Sequence, residues 1–318
     1  MHSQTSTIDS DHDGLPDALE QQLLEQFLPS FSIGQHECAG LPAEFTPGIV
    51  SPKPLAEDGT IYGQAFLAKH STPEHPLVEL HFYHLWAKDC GARGHTLDTE
   101  HVAALVEASS PDRNKAKWTA EYWYAAAHEN TVCEVSQIAR ASTLKAEHHG
   151  AKVWVSPGKH ASFLNETLCK AGCGADHCED MTPMKVTQLI NLGEIKHPMN
   201  GSTFIASTAW PLETKMSTTN FADEPIARLD AMPENDIAWY LPGKHPAQGV
   251  IAVSGTTAGA IALGGDDTGA ALSLADDKTS NALGTSYHKT KHALGLSMKN
   301  VGKALRMSSG DKKDPATP

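Results

Sequence analysis

Between residues 78 and 86 the chain alternates. Val78, Leu80, Phe82, His84 and Trp86 occupy one set of positions, and Glu79, His81 and Tyr83 the other. An extended backbone sends successive side chains to opposite faces, so a period of two marks a strand with one face against a core. A helix would scatter the same residues around its circumference. Aromatic and β-branched runs recur at residues 59–67, 118–124 and 152–155, each bounded by Gly, Pro or polar turn residues. The pattern predicts a mainly β fold of short strands with a few peripheral helices, with α+β as the alternative. Helical spacing is expected at residues 19–27, closed by Pro29, and at 134–149, stopped by Gly150; a short helix is expected at 162–170. Residues 30–58, rich in Pro, Gly and Ala, read as irregular connection.

The alternating strand runs through the turn Lys88-Asp89-Cys90-Gly91-Ala92-Arg93 into Gly94-His95-Thr96-Leu97-Asp98-Thr99-Glu100-His101-Val102. In extended geometry Asp98 and Glu100 share one face and His95 and His101 the other. Two carboxylates at a spacing of two form half a site for a divalent cation, with further oxygen or nitrogen ligands coming from a neighbour. The plainer alternative is a polar turn entering a half-buried strand. Further on, the strand at 152–155 breaks at Pro157-Gly158 and delivers Lys159 and His160 to a loop, a frequent position for functional side chains. His84, alone on an apolar face, reads first as a hydrogen-bonded core residue.

The most specific pattern lies at the N-terminus. Asp9, Asp11 and Asp13 stand at positions one, three and five of a twelve-residue calcium loop, Gly14 at six, Leu15 at seven offering its carbonyl, Asp17 at nine and Glu20 at twelve. Too few residues precede Asp9 for an entering helix, so the loop resembles the single loops of thrombospondin type 3 and dockerin-like modules rather than a paired EF-hand. A structural Ca2+ is the expectation.

A net charge of −13 excludes a sequence-independent grip on nucleic acid, and no apolar run is long enough for a transmembrane span. The six cysteines, Cys38, Cys90, Cys133, Cys169, Cys173 and Cys178, lack a C-x2-C pair and read as disulfides, their connectivity open. Disulfides imply an extracellular or periplasmic location. Residues 1–7 carry no leader-like segment, so the expectation is a mature form whose leader was replaced by Met1. Three regions follow: 1–29, calcium loop and helix; 30–248, the β core with the site and the cysteine cluster; 249–318, a Gly/Ala/Ser/Thr-rich segment and a basic amphipathic tail.

Tyr83, Trp86, Lys88 and Asp89, followed by Gly94, His95, Asp98 and Glu100, resemble the aromatic strand, Lys-Asp turn and GHRHDWE heptapeptide of the necrosis- and ethylene-inducing peptide-like proteins, the NLP family. Leu97 replaces that motif's second His and Thr99 its Trp. Gly158-Lys159-His160-Ala161 resembles the G-x-H-A element of a related vacuolar-sorting-type domain. The resemblance spans residues 59–163. It implies an antiparallel β-sandwich with a divalent cation at one end, serving lipid-headgroup binding and cytolysis.

Two functions of different class fit. One is a metal-dependent hydrolase of anionic, phosphate-ester-like substrates. Asp98, Glu100 and His95 would hold a second divalent cation (Ca2+, Mg2+, Mn2+ or Zn2+), and His101, His128 and His160 would supply acid–base groups. The other is a lipid-headgroup or glycan-binding module, in peripheral contact with a membrane, that breaks no bond.

Overall fold

The two longest strands are neighbours. β5 (Leu77–Lys88) and β6 (Thr96–Ala108) run antiparallel from Leu77 opposite Glu107 to Lys88 opposite Thr96. Val78, Leu80, Phe82 and Trp86 of β5 and Val102, Ala104 and Val106 of β6 bury one face completely. Tyr83 and Leu85 are buried on the other face, and Glu79 and His81, which a one-sided sheet would leave in water, are enclosed with them. The sheet is covered on both sides. The computed structural model describes residues 7–252 apart from 48, 50–51, 91–93, 130, 132–133, 173–175, 201–211, 217–218 and 243–249. The low-complexity segment and basic tail expected from residue 249 onward lie outside the described residues, except for one short terminal strand.

In chain order, α1 (Asp17–Gln26) leads to β1 (Ser30–Gly34), a ribbon of β2 (Glu44–Phe45) and β3 (Pro54–Ala56), and β4 (Thr60–Leu67). After β5 and β6 come β7 (Trp118–Ala125), β8 (Gln137–Arg140), α2 (Ala141–Leu144), β9 (Lys152–Val155), β10 (Ser162–Phe163) and α3 (Glu166–Ala171). Then follow β11 (Met181–Pro183), β12 (Gln188–Asn191), a ribbon of β13 (Gly193–Glu194) and β14 (His197–Pro198), α4 (Leu212–Met216), α5 (Asp223–Asp230), β15 (Asp236–Trp239) and β16 (Val250–Ala252). One eight-stranded sheet has the order β12-β4-β5-β6-β7-β8-β15-β16, and a four-stranded sheet the order β10-β9-β1-β11. Phe31, Ile33, Val153, Val155 and Phe163 of the small sheet share one apolar cluster with Phe82, Trp86 and Trp123 of the large one. Each fully buried aliphatic or aromatic chain there contributes roughly 1.5–3 kcal/mol. Leu19, Leu23 and Leu24 of α1 join the same cluster. A Cβ at Gly63 would come within 2.8 Å of Leu24, so a glycine in β4 lets α1 lie close to the sheet.

The fold is mainly β with a few short helices, and its sheets are mixed rather than purely antiparallel. β1 pairs parallel with β9, and β12 parallel with β4. Three local expectations are corrected. Residues 30–58 are not all irregular, because Phe31 and Ile33 enter the core from β1. Residues 134–149 hold a strand and one helical turn rather than a helix. Ile138 and Ala139 of β8 go to clusters on opposite sides of the sheet, and the ladders to β7 and β15 override helical spacing. The expected helix at 162–170 begins only at Glu166, where the Asn165 side chain accepts from the N–H groups of Thr167 and Leu168. Disulfides join Cys38 to Cys90 and Cys169 to Cys178, as the cysteine pattern suggested; Cys133 and Cys173 lie outside the described residues. Among the described residues no helix is long and apolar enough to cross a membrane.

Candidate functional site

The N-terminal acids turn inward around Gly14, whose φ of +89° is the left-handed turn expected at loop position six. Asp9 accepts from the Gly14 N–H at 3.1 Å, Asp13 from the Leu15 N–H at 2.6 Å, and Asp17 from the N–H and hydroxyl of Ser10 at 2.7 Å each. These bonds shape the loop. The remaining oxygens converge: ligand atoms of Asp9, Asp11 and Asp17 lie within 4.8 Å of one another, as do those of Asp11, Asp13 and Glu20. Asp9 Oδ1, both oxygens of Asp11, Asp13 Oδ2 and Glu20 Oε1 are buried without a hydrogen-bond partner. Burial raises Asp11 to about 6, helped by the charges of Glu194 and Asp9. Burial likewise raises Asp13 to about 7 and Glu20 to about 9. Buried carboxylate oxygens without partners cost several kcal/mol each unless a positive charge meets them, and an all-oxygen donor set fits a hard divalent cation. Leu15 anchors the loop by its fully buried side chain. Asn191 of β12 donates to Glu20 Oε2 at 2.6 Å and ties the loop to the sheet edge.

The central stretch is built differently. Asp98 stands opposite Trp86 and Glu100 opposite His84, so the two acids share a face as the spacing predicts; His101, opposite Tyr83, takes the other. β7 pairs with β6 only as far as Val102, opposite Ala125. Beyond that point Glu129, on the turn after β7, and Lys215 of α4 reach the acids.

His160 is the hub of the first half of this cluster. Its Nδ1 lies 2.7 Å from Asp98 Oδ2 and its Nε2 3.5 Å from Glu37 Oε1. The ring stacks on Trp86, centroids 3.9 Å apart and planes 7° from parallel. It is 0% exposed. Burial alone would lower its pKa, but bonds and charge from Asp98 and Glu37 outweigh that and raise it to about 9. Both carboxylates are in turn held below their ordinary range, since the imidazolium outweighs their own burial. Glu37 also accepts from the N–H groups of Ala39 and Gly158, and Lys159 pairs with Asp89 at 2.5 Å. With the Cys38–Cys90 bridge, these contacts lock the loops after β1, β5 and β9 together.

In the second half, Lys215 Nζ lies 3.1 Å from Glu100 and 3.1 Å from Glu129. Burial pushes Glu100 up to about 8 against the pull of Lys215, whereas Glu129 falls to about 2 because His101 and Lys215 outweigh its burial. His101 is enclosed among His81, Tyr83 and Tyr124, bonded to Asn220 at 3.0 Å, and burial lowers it to about 4. His128 pairs instead with Asp176 near the cysteine-rich loop. His95 precedes β6 and its side chain is 57% exposed. Its Nδ1 donates to the carbonyl of Leu97, which has a left-handed φ of 63°, and its Nε2 faces Asp89 at 3.4 Å.

Of the residues expected at the site, the structure joins Asp98 to His160 directly, brings His95 and Glu100 close enough to act on the charge of Asp98, turns His101 toward Glu129 at 3.6 Å and Asn220, and sends His128 to Asp176. Glu37, Glu129, Lys215 and the Trp86 stack were not foreseen. The Cys38–Cys90 pairing, had it been known, would have placed Glu37 beside the Lys-Asp turn. Among the described residues, groups of three ligand atoms within 4.8 Å occur in the N-terminal loop and at Glu37–Cys38–Cys90. The latter sulfurs are in a disulfide and are not thiolate ligands.

No protein-family model matches the chain, and no curated protein matches it. Among solved structures it is similar to NLPPya in complex with glucosamine, at 14% identity and a TM-score of 0.31, covering 63% of this chain and 83% of that one. It is also similar to a structure described as a toxin fold for microbial attack and plant defense, at 14% identity and a TM-score of 0.33, covering 62% and 86%. A third is the non-toxic HaNLP3 protein, at 12% identity and a TM-score of 0.31, covering 64% and 91%.

Proposed function

We propose that the chain is a secreted binding module rather than a hydrolase. A structural Ca2+ would sit in the loop of Asp9, Asp11, Asp13, Leu15, Asp17 and Glu20, and a second divalent cation at Asp98, Glu100 and His95 would engage a lipid headgroup or a glycan. The observation that carries this reading is the fate of the imidazoles. A general base must reach the proton it takes. His160 is held between two carboxylates under Trp86, His101 is enclosed among aromatic rings, and His128 is paired with Asp176. The exposed imidazole beside the acids is His95, whose Nδ1 donates to the Leu97 carbonyl and whose Nε2 faces Asp89 at 3.4 Å. That arrangement suits holding a cation at a rim better than moving protons. A bound divalent cation supplies positive charge to which phosphate or vicinal hydroxyl oxygens can coordinate; the side chains hold it and orient it. Asp98 and Glu100 are each about a tenth exposed, close enough to the surface for such a ligand. The resemblance of residues 83–100 to the NLP motif implies the same class of function.

The test uses vesicles of defined anionic and glycosylated lipids, and soluble amino sugars, with and without EDTA. Wild type binds at least one of them, EDTA abolishes binding, and Asp98→Asn weakens it at least tenfold. Phosphodiester, phosphomonoester and ester substrates are not turned over under any metal. Turnover that vanishes in Asp98→Asn would restore the hydrolase and end this proposal.

A further inference from the structure

We infer that the ammonium of Lys215 is the resident cation of the central acid cluster, and that a divalent ion binds there only by displacing it. The inference rests on the second cation site proposed above.

Three observations converge. First, α4 is seated rather than draped. Leu212 and Met216, one helical turn apart, are buried (0% and 3% exposed) in the cluster formed with Tyr62, Tyr83 and Leu85. Lys215 follows Leu212 by three positions, on the same side of the helix, so the two apolar anchors aim its side chain at β6. Second, its Nζ stands midway between carboxylates, 3.1 Å from each of Glu100 and Glu129, and Asp98 also acts on its charge. The side chain is only 15% exposed. Third, the other acids of the region have partners of their own: Asp98 and Glu37 share His160, and Asp89 has Lys159. Glu100 and Glu129 share Lys215, and Glu129 also accepts from the Tyr124 hydroxyl at 2.6 Å and faces His101 at 3.6 Å.

An ammonium and a divalent ion cannot share this space. At a few ångströms in a partly buried site two positive charges repel strongly, and Glu100 would have to serve both. Ammonium also holds its acceptors at about 3 Å, against about 2.0–2.6 Å for Mg2+ or Ca2+, so exchange draws the carboxylates inward. Lys215 thereby sets the cation concentration at which the central site fills. The N-terminal loop has no such occupant among the described residues and fills first.

The experiment titrates the full chain with Mn2+, read by calorimetry and by Mn2+ electron paramagnetic resonance, in a Glu20→Gln background that weakens the N-terminal site. Lys215→Met keeps the aliphatic stem and removes the charge. The expected result is that Lys215→Met tightens the central binding event at least tenfold, and that adding Glu100→Gln removes the gain. Equal affinity, within twofold, in the presence and absence of Lys215 overturns the inference and leaves the cation site standing. No central event in either protein overturns the cation site itself. Wild type gives a second readout that needs no mutant: amine-reactive labelling of Lys215, followed by mass spectrometry. Labelling should rise severalfold as Mn2+ is added; labelling unchanged at a cation concentration that fills the central site overturns the displacement.

Discussion

Two acid-rich regions of this molecule solve one electrostatic problem in opposite ways. In the N-terminal loop, Asp11, Asp13 and Glu20 are buried, their free oxygens converge, and no lysine or arginine side chain among the described residues pairs with them; Arg113 nearby donates to the Gly14 carbonyl instead. In the central cluster, Glu37, Asp89, Asp98, Glu100 and Glu129 each meet His160, Lys159 or Lys215. The direction of the pKa shift separates the two. Asp11, Asp13 and Glu20 are raised, by burial first and by neighbouring acids, Glu194 among them, second, whereas Glu37, Asp98 and Glu129 are lowered despite burial. Glu100, raised to about 8, is the exception, because its burial outweighs the pull of Lys215. A cluster of acids therefore takes up an outside cation most readily where the fold has not already supplied one of its own.

The sharpest way to break the comparison is to remove a built-in cation. His160→Ala leaves Asp98 and Glu37 buried without their shared partner, and breaking such a pair costs about 3–5 kcal/mol. Denaturant unfolding should show that loss, with EDTA making no further difference to the increment. A double variant, His160→Gln with Asp98→Asn, removes one charge from each side and should recover more than about 1 kcal/mol relative to additivity. If His160→Ala unfolds at the same denaturant concentration as wild type, the cluster does not depend on its internal countercharge.

Chelation is the matching operation on the loop. A ligand that binds only the folded state stabilises it by about 2.7 kcal/mol when present at one hundred times its dissociation constant. For a folded unit of this size, that corresponds to a melting temperature lower by roughly 5–10 °C once Ca2+ is removed. Asp11→Asn and Glu20→Gln should melt near the chelated wild type and ignore EDTA. A wild type that melts at one temperature with Ca2+ and with EDTA would contradict the reading of the orphaned oxygens.

How much of this was legible in the sequence follows from the range of the signals. The turn at Gly14 and the convergence of the acids around it were readable because the whole pattern lies within residues 9–20. The alternation of β5 and the shared face of Asp98 and Glu100 at the start of β6 were readable because alternation is local. The central cluster was legible only in part: Asp98 and His160 stand out as a strand start and a strand end. Glu37 reaches them through a disulfide whose pairing no spacing reveals, and Lys215 comes from a five-residue helix with no strong pattern of its own. β8 was misread because Ile138 and Ala139 are consecutive residues serving opposite faces, which resembles helical spacing until the partner strands are known.

His84 supplies the smallest effect and a third answer to the problem: a titratable group kept neutral. Trp86 Nε1 donates to His84 Nδ1 at 2.8 Å, which makes Nδ1 an acceptor and leaves Nε2–H to donate to the Ser162 hydroxyl at 2.8 Å. Both nitrogens are satisfied by the uncharged ring, and protonation would break the bond to Trp86. Burial, helped by the positive charge of His160, pulls the group well below its ordinary value of 6.5. The unfolded chain therefore binds this proton first as pH falls. The stability His84 contributes is full above about pH 6.5 and is lost below it, at up to about 1.4 kcal/mol per pH unit. Many other histidines and acids titrate in the same range, so the measurable quantity is a difference. Unfolding free energies of wild type and His84→Gln, whose amide can accept from Trp86 and donate to Ser162, should converge by about 1 kcal/mol between pH 6.5 and 5.5. Parallel curves across that window would mean that His84 binds no more protons in the unfolded chain than in the folded one.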